Sequence, residues 1–80
     1  MKIEVSFWGV TRRLAGADRR EIILSDGADL EALIEALEGE AGLASELERC
    51  AFAVGTTLVP RNHALSDGDE VAVLPPVSGG

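Results

Sequence analysis

Cysteine is almost missing from this 80-residue chain: Cys50 stands alone. No intrachain disulfide can form, so packing must hold the fold. Histidine is equally scarce, with only His63. One thiol and one imidazole cannot supply the ligand set of a structural zinc site, so no metal centre is expected. Basic residues are few as well: seven Lys+Arg stand against fourteen Asp+Glu, a net charge of −7 with His63 neutral. That balance argues against nucleic acid, which favours a basic face. It favours basic protein surfaces as partners. Long apolar runs are missing too. None approaches the roughly 18 residues of a membrane span. Lys2 and Glu4 break up the first apolar stretch, so no signal peptide is expected and no membrane role. Such cysteine use suits a reducing, cytoplasmic setting. The length supports one small domain and excludes a cleft between two. With 46% hydrophobic and 26% charged residues, the composition is that of an ordered chain.

What is present falls into a clear order. Ile3, Val5 and Phe7 alternate with Lys2, Glu4, Ser6 and Trp8, the period of a half-buried strand. Gly16-Ala17-Asp18 reads as a turn, and Arg20 to Leu24 as a second strand antiparallel to the first. Asp29 is placed to cap a helix in which Leu30, Leu33, Ile34 and Leu37 form one apolar stripe. Glu31, Glu35, Glu38 and Glu40 form its solvated side, and Gly39 or Gly42 is expected to end it in a left-handed residue. Leu43 to Arg49 adds a short helical turn with Leu43 and Leu47 packed down. Cys50 to Val54 and Thr57 to Val59 read as strands across a Gly55-Thr56 turn. Ser66-Asp67-Gly68-Asp69 is a turn signal, followed by a last strand from Glu70 to Leu74 with Val71 and Val73 inward. Strand, strand, helix, strand, short strand, strand is the plan of an α+β β-grasp (ubiquitin-like) fold: a mixed sheet of about five strands over one main helix. Right-handed crossovers put the first and last strands side by side and parallel.

The chain ends Pro75-Pro76-Val77-Ser78-Gly79-Gly80. Two prolines stop the last strand and donate no backbone hydrogen bonds. They are expected to project residues 75–80 from the body, residues 1–74, as an extended tail reaching roughly 20 Å. Gly79 and Gly80 carry no side chains, so a narrow channel can admit them. A carboxylate is a poor electrophile, but adenylation by ATP gives it a good leaving group. A sulfur or amine nucleophile can then attack the uncrowded Gly80 carbonyl.

Leu65-Ser66-Asp67-Gly68-Asp69-Glu70-Val71, the closing Pro75-Pro76-Val77-Ser78-Gly79-Gly80 and the early Leu14-Ala15-Gly16 carry a resemblance. Over essentially its whole length the chain resembles the ubiquitin-like sulfur carriers (the MoaD/ThiS family), and above all the small subunit of molybdopterin synthase. Gly55 stands where that family often has Asn; both accept a left-handed turn. The resemblance implies a cycle. An adenylyltransferase similar to ubiquitin-activating enzymes would use MgATP to make Gly80 an acyl-adenylate. A sulfur-transfer protein would supply sulfur for a thiocarboxylate. The tail would enter the active site of the large synthase subunit and donate sulfur to a pterin precursor for dithiolene formation in molybdenum cofactor biosynthesis. The chain would bind no cofactor itself, and the large subunit would hold the catalytic groups.

A carrier also needs a recognition face. If Ile3, Val5 and Phe7 point to the helix, Trp8 points away from it; if Val71 and Val73 point in, Leu74 points out. Trp8, Leu74 and, from the short strand, Leu58 are therefore expected to form an exposed apolar patch beside Pro75, Pro76, Val77 and Ser78. Cys50 reads as a buried thiol and His63 as a solvated loop residue. Arg12, Arg13, Arg19 and Arg20 gather near the first hairpin. Three other readings stay open: a carrier for thiamine, cysteine or tRNA thiolation; a modifier joined to lysines through Gly80; and a β-grasp binding module with an inert tail. Isopeptide adducts would mark the second, and tolerance of tail deletion the third.

Overall fold

The computed structural model describes residues 1–39 and 43–76. Among these residues, five strands form one mixed sheet: β1 (Lys2–Phe7), β2 (Arg19–Ile23), β3 (Ala51–Val54), β4 (Thr57–Val59) and β5 (Glu70–Leu74). Three helices accompany them: α1 (Val10–Ala15), α2 (Leu30–Glu38) and α3 (Leu43–Leu47). The strand order is β2-β1-β5-β3-β4, with β1 and β5 parallel in the centre and every other pair antiparallel. This is the expected β-grasp.

The period-two pattern of β1 does what its chemistry requires. Ile3, Val5 and Phe7 are buried, while Lys2 and Glu4 face solvent. Val71 and Val73 of β5 enter the same core, in register with Val5 and Phe7. From the other side, α2 lays Leu30, Leu33, Ile34 and Leu37 onto the sheet, all of them at most 1% exposed. Leu43 and Leu47 of α3 complete the cluster. The Asp29 carboxylate caps α2 by accepting from the Ala32 amide at 3.0 Å, which satisfies one of the free amides of the first turn. The loop before β5 is tied to the start of α2: Leu30 N donates to His63 O at 2.9 Å and Leu65 N to Ala28 O at 3.1 Å. His63 therefore has a backbone role. The acidic turn is confirmed, with Gly68 at φ 86°. There Asp67 Oδ1 accepts from Lys2 N at 2.6 Å and Asp69 Oδ2 from Ser66 N at 2.8 Å.

Three details differ from the sequence expectation. Helix α1 was not foreseen between β1 and the Gly16 turn. It is six residues long and buries only Thr11, too little apolar surface to leave a periodic trace. Gly39 does not close α2 in a left-handed conformation: its φ is −67° and ψ −16°. Helix α3 packs beside α2. Gly16, at φ 73°, closes α1 in the left-handed region, donating to Arg12 O at 3.1 Å. Finally, the second strand is shifted by one residue, to Arg19–Ile23, and the third begins one residue later than expected, at Ala51. Glu40 and Gly42 lie outside the described residues. No helix among the described residues is long and apolar enough to cross a membrane.

Candidate functional site

The face of the sheet turned away from the helices is built by pairing register. Arg19, Ser6, Ala72, Ala53 and Leu58 follow one another across all five strands, each paired with the next. Leu74 pairs with Ala51 one step further along that face. Trp8 follows Phe7, which pairs with Val73, so it sits at the same end of the sheet. Trp8 is 54% exposed and Leu58 67%. Leu74 is half-buried. Ala53 is buried yet stands apart from the main core cluster, as fits a small residue on this outer face.

The three expected patch residues therefore share a face, but not a single contact cluster. Trp8 lies at the end of β1 and Leu58 on β4, three strand spacings away, roughly 14 Å. Alanines occupy the ground between them. A flat apolar floor with an aromatic at one end and a leucine at the other suits a protein surface better than a small ligand.

Trp8 is held in place by a residue that the sequence reading passed over. Thr11 is fully buried. Its hydroxyl donates to Trp8 O at 2.6 Å and accepts from Trp8 N at 3.2 Å. The indole Nε1 donates to Ser6 Oγ at 3.2 Å, laying the ring along the outer face. The available signal was a hydroxyl residue three positions after Trp8, just past the strand end, a local pattern that ties down a turn. An open hollow of about 300 Å³ lies beside Trp8, bordered by Ser6, Arg19, Gly55, Thr56 and Glu70. Arg19 Nη1 reaches Glu4 Oε1 at 3.4 Å and Glu70 Oε1 at 3.9 Å, so this rim is internally charge-paired.

The tail leaves from the same end of the molecule. Because β1 and β5 run parallel, the residue after Trp8 lies next to the residue after Leu74. Gly9 has φ 57°, and a Cβ built on it would stand 3.0 Å from Pro75 Cγ. Pro75 is thus seated against the β1–α1 corner rather than projecting freely at once; Pro76 is exposed. A second hollow, about 320 Å³, is lined by Gly9, Val10, Glu46, Arg49, Pro75 and Pro76. Val77, Ser78, Gly79 and Gly80 lie outside the described residues.

Cys50 is buried just before β3, its thiol donating to Glu46 O at 3.1 Å. Burial first, and then the Glu46 carboxylate, push the thiol above its ordinary value of 9.0, with Arg61 partly opposing them. The neutral thiol is favoured by folding. Its contribution to stability is present below about pH 9 and is lost as pH rises through the raised native value. Iodoacetamide at pH 8 is accordingly expected to label Cys50 slowly in the native protein and rapidly in urea; equal rates would show an accessible, reactive thiol. Arg61, also unmarked in the sequence, donates from Nη2 to Leu47 O at 2.8 Å at the end of α3 and lies 5.6 Å from the Phe52 ring centre. Among the described residues, no three His, Cys, Asp or Glu side chains converge as metal ligands.

Comparison with known proteins places this architecture. The family model described as the ThiS family matches residues 5–80, a span that runs through the Gly-Gly end. The molybdopterin synthase sulfur carrier subunit of Escherichia coli (strain K12) is 41% identical over 81 residues, covering 98% of this chain and 99% of that protein. The protein of the same name from Chlamydomonas reinhardtii is 39% identical over 83 residues, covering 100% of both. Among solved structures, the protein–protein complex of subunits 1 and 2 of molybdopterin-converting factor from Helicobacter pylori 26695 contains a chain that superposes with a TM-score of 0.77. That chain is 34% identical, with 100% of both chains covered. On the match to residues 5–80 and these end-to-end likenesses, the chain belongs to the ThiS family of ubiquitin-like sulfur carriers.

Proposed function

We propose that this chain is the sulfur carrier subunit of a molybdopterin synthase, with Gly80 as the atom-transferring end. The observation that carries the reading is the end-to-end likeness to relatives bearing that name, through the last glycine. The geometry suits it. Trp8, Leu74 and the start of the tail occupy the same end of the sheet, on the face that Leu58 shares, so one partner can hold the body and receive the tail.

The chemistry follows from the tail. An adenylyltransferase joins the Gly80 carboxylate to the α-phosphate of MgATP and releases pyrophosphate. A sulfur nucleophile at the sulfide level, delivered by a sulfur-transfer protein, attacks the Gly80 carbonyl and expels AMP. The product is a thiocarboxylate, in which one carboxylate oxygen is replaced by sulfur. In the large subunit the thiocarboxylate sulfur attacks an electrophilic carbon of a pterin precursor and displaces an oxygen substituent; hydrolysis of the resulting thioester leaves a thiolate on the pterin and restores the Gly80 carboxylate. This chain supplies sulfur and orientation, and the large subunit supplies the acid and base groups. MgATP is bound by the activating partner. Such a cycle belongs in a reducing cytoplasm, where the thiocarboxylate survives.

The test is mass spectrometry of the intact protein and of its C-terminal peptide after incubation with MgATP, the activating enzyme and a sulfide source. One oxygen-to-sulfur exchange is expected, mapped to Gly80. Oxidation of Met1 or Cys50 gives nearly the same mass change, so the mapping decides. An unchanged tail in the presence of a demonstrably active enzyme would overturn the reading, and isopeptide adducts at Gly80 would replace it with a protein modifier.

A further inference from the structure

Beside the tail exit stands an arginine that nothing described pairs. Arg49 follows α3 and lines the hollow formed with Gly9, Val10, Pro75 and Pro76. It is exposed. Arg12 pairs with Asp18, Arg19 with Glu4 and Glu70, and Arg61 bonds a backbone carbonyl. Among the described residues, the Arg49 guanidinium makes no hydrogen bond and no ion pair. Glu46 lines the same hollow without joining it. In a chain with fourteen acids and seven bases, this is a cation left open at the point where the tail departs.

The reach of the tail narrows what it can meet. Val77 to Gly80, drawn out in a channel, spans roughly 13 Å. A phosphate on Gly80 then lies farther away than an arginine side chain extends. An anion that meets Arg49 during transfer therefore belongs to the body that receives the tail, at the rim where the chain enters. We propose that Arg49 pairs with a carboxylate at the mouth of the tail-receiving channel of the large synthase subunit. The inference rests on the carrier reading above. Arginine fits this position because its planar fork binds a carboxylate through two hydrogen bonds and it keeps its charge when partly desolvated. With Trp8 held on the outer face and Arg49 on the helix side of the tail exit, docking fixes the direction in which Pro75 and Pro76 hand over the tail.

The experiment is titration of the full chain with the large subunit across a range of ionic strengths, with thermal melts alongside. Arg49→Glu replaces attraction by repulsion and is expected to raise Kd roughly tenfold at low salt. The gap should close as screening shortens from about 10 Å at 0.1 M to about 3 Å at 1 M. Arg49→Lys, which keeps a point charge, should stay within about threefold. Lys2→Glu changes the net charge by the same amount at the far end of β1, roughly 20 Å from Pro75. It should alter Kd less than about twofold. If Arg49→Glu does not fold, Arg49→Ala replaces it, with an expected loss of about threefold. Equal effects of Arg49→Glu and Lys2→Glu, or no effect of the folded Arg49 variants, would overturn the inference alone. Failure of the unaltered chain to bind the large subunit would overturn the carrier reading and this inference with it.

Discussion

A chain lacking Gly79 and Gly80 is expected to fold as the full-length protein does and to carry no sulfur at all. The core explains the first half. Its buried residues run from Ile3 to Val73. The last described contact of the tail is the seat of Pro75 on Gly9. Removing two residues beyond it takes nothing from that core, so the melting temperature should move by no more than about 1 °C, a few tenths of a kcal/mol for a domain of this size. The second half follows from chemistry. The shortened chain still ends in a carboxylate, but that carboxylate belongs to Ser78 and stands two residues, roughly 7 Å, short of the reacting position. Misplacement of even 1 Å can cost about a hundredfold in rate. Thiocarboxylate formation with MgATP and the activating enzyme should therefore fall below detection, while circular dichroism and melting stay unchanged. Sulfur loading at anything near the normal rate would mean that the terminal glycines are an inert end.

Trp8→Ala is expected to separate binding from folding. Trp8 is more than half exposed. The backbone around it is held by the Thr11 hydroxyl, which the substitution leaves in place. Loss of folding stability should be about 1 kcal/mol, the ordinary cost of a change at a half-exposed site. Loss of affinity for the large subunit should be larger. A central aromatic anchor is commonly worth about 2 kcal/mol or more, about thirtyfold in Kd. Calorimetric titration against the large subunit, with melts of the free variant, measures both. Equal losses would show that the indole serves as a cap on the end of the core. Serine at Thr11 keeps the hydroxyl that both Trp8 hydrogen bonds use and so provides a conservative comparison.

The parts of this molecule that local pattern can specify were legible in the residues. β1 and α2 announce themselves because burial of one face imposes a period of two or of 3.6 on the apolar positions. The Asp29 cap, the Gly68 turn and the proline stop before the tail depend only on neighbours a few positions away. The Gly79-Gly80 end, from which the tail chemistry is proposed, is a local feature of the same kind.

Other features depend on residues far apart in sequence. The short α1 buries one residue, Thr11, and leaves no periodic signal. The outer face exists only because β1 pairs with β5 and β5 with β3, which lines up Ser6, Ala72, Ala53 and Leu58 in one row. The separation of Trp8 from Leu58 follows from strand order, and the bond from Arg61 to Leu47 from how a loop folds back on α3. By itself, then, the sequence determined the five strands and the main helix to within a residue or so, and which side of each is apolar. Only the tertiary structure decided that Pro75 rests on Gly9, that Arg49 stands without a partner among the described residues beside it, and that Leu58 lies apart from Trp8. Those placements come from long-range strand pairing, whose register no local periodicity encodes.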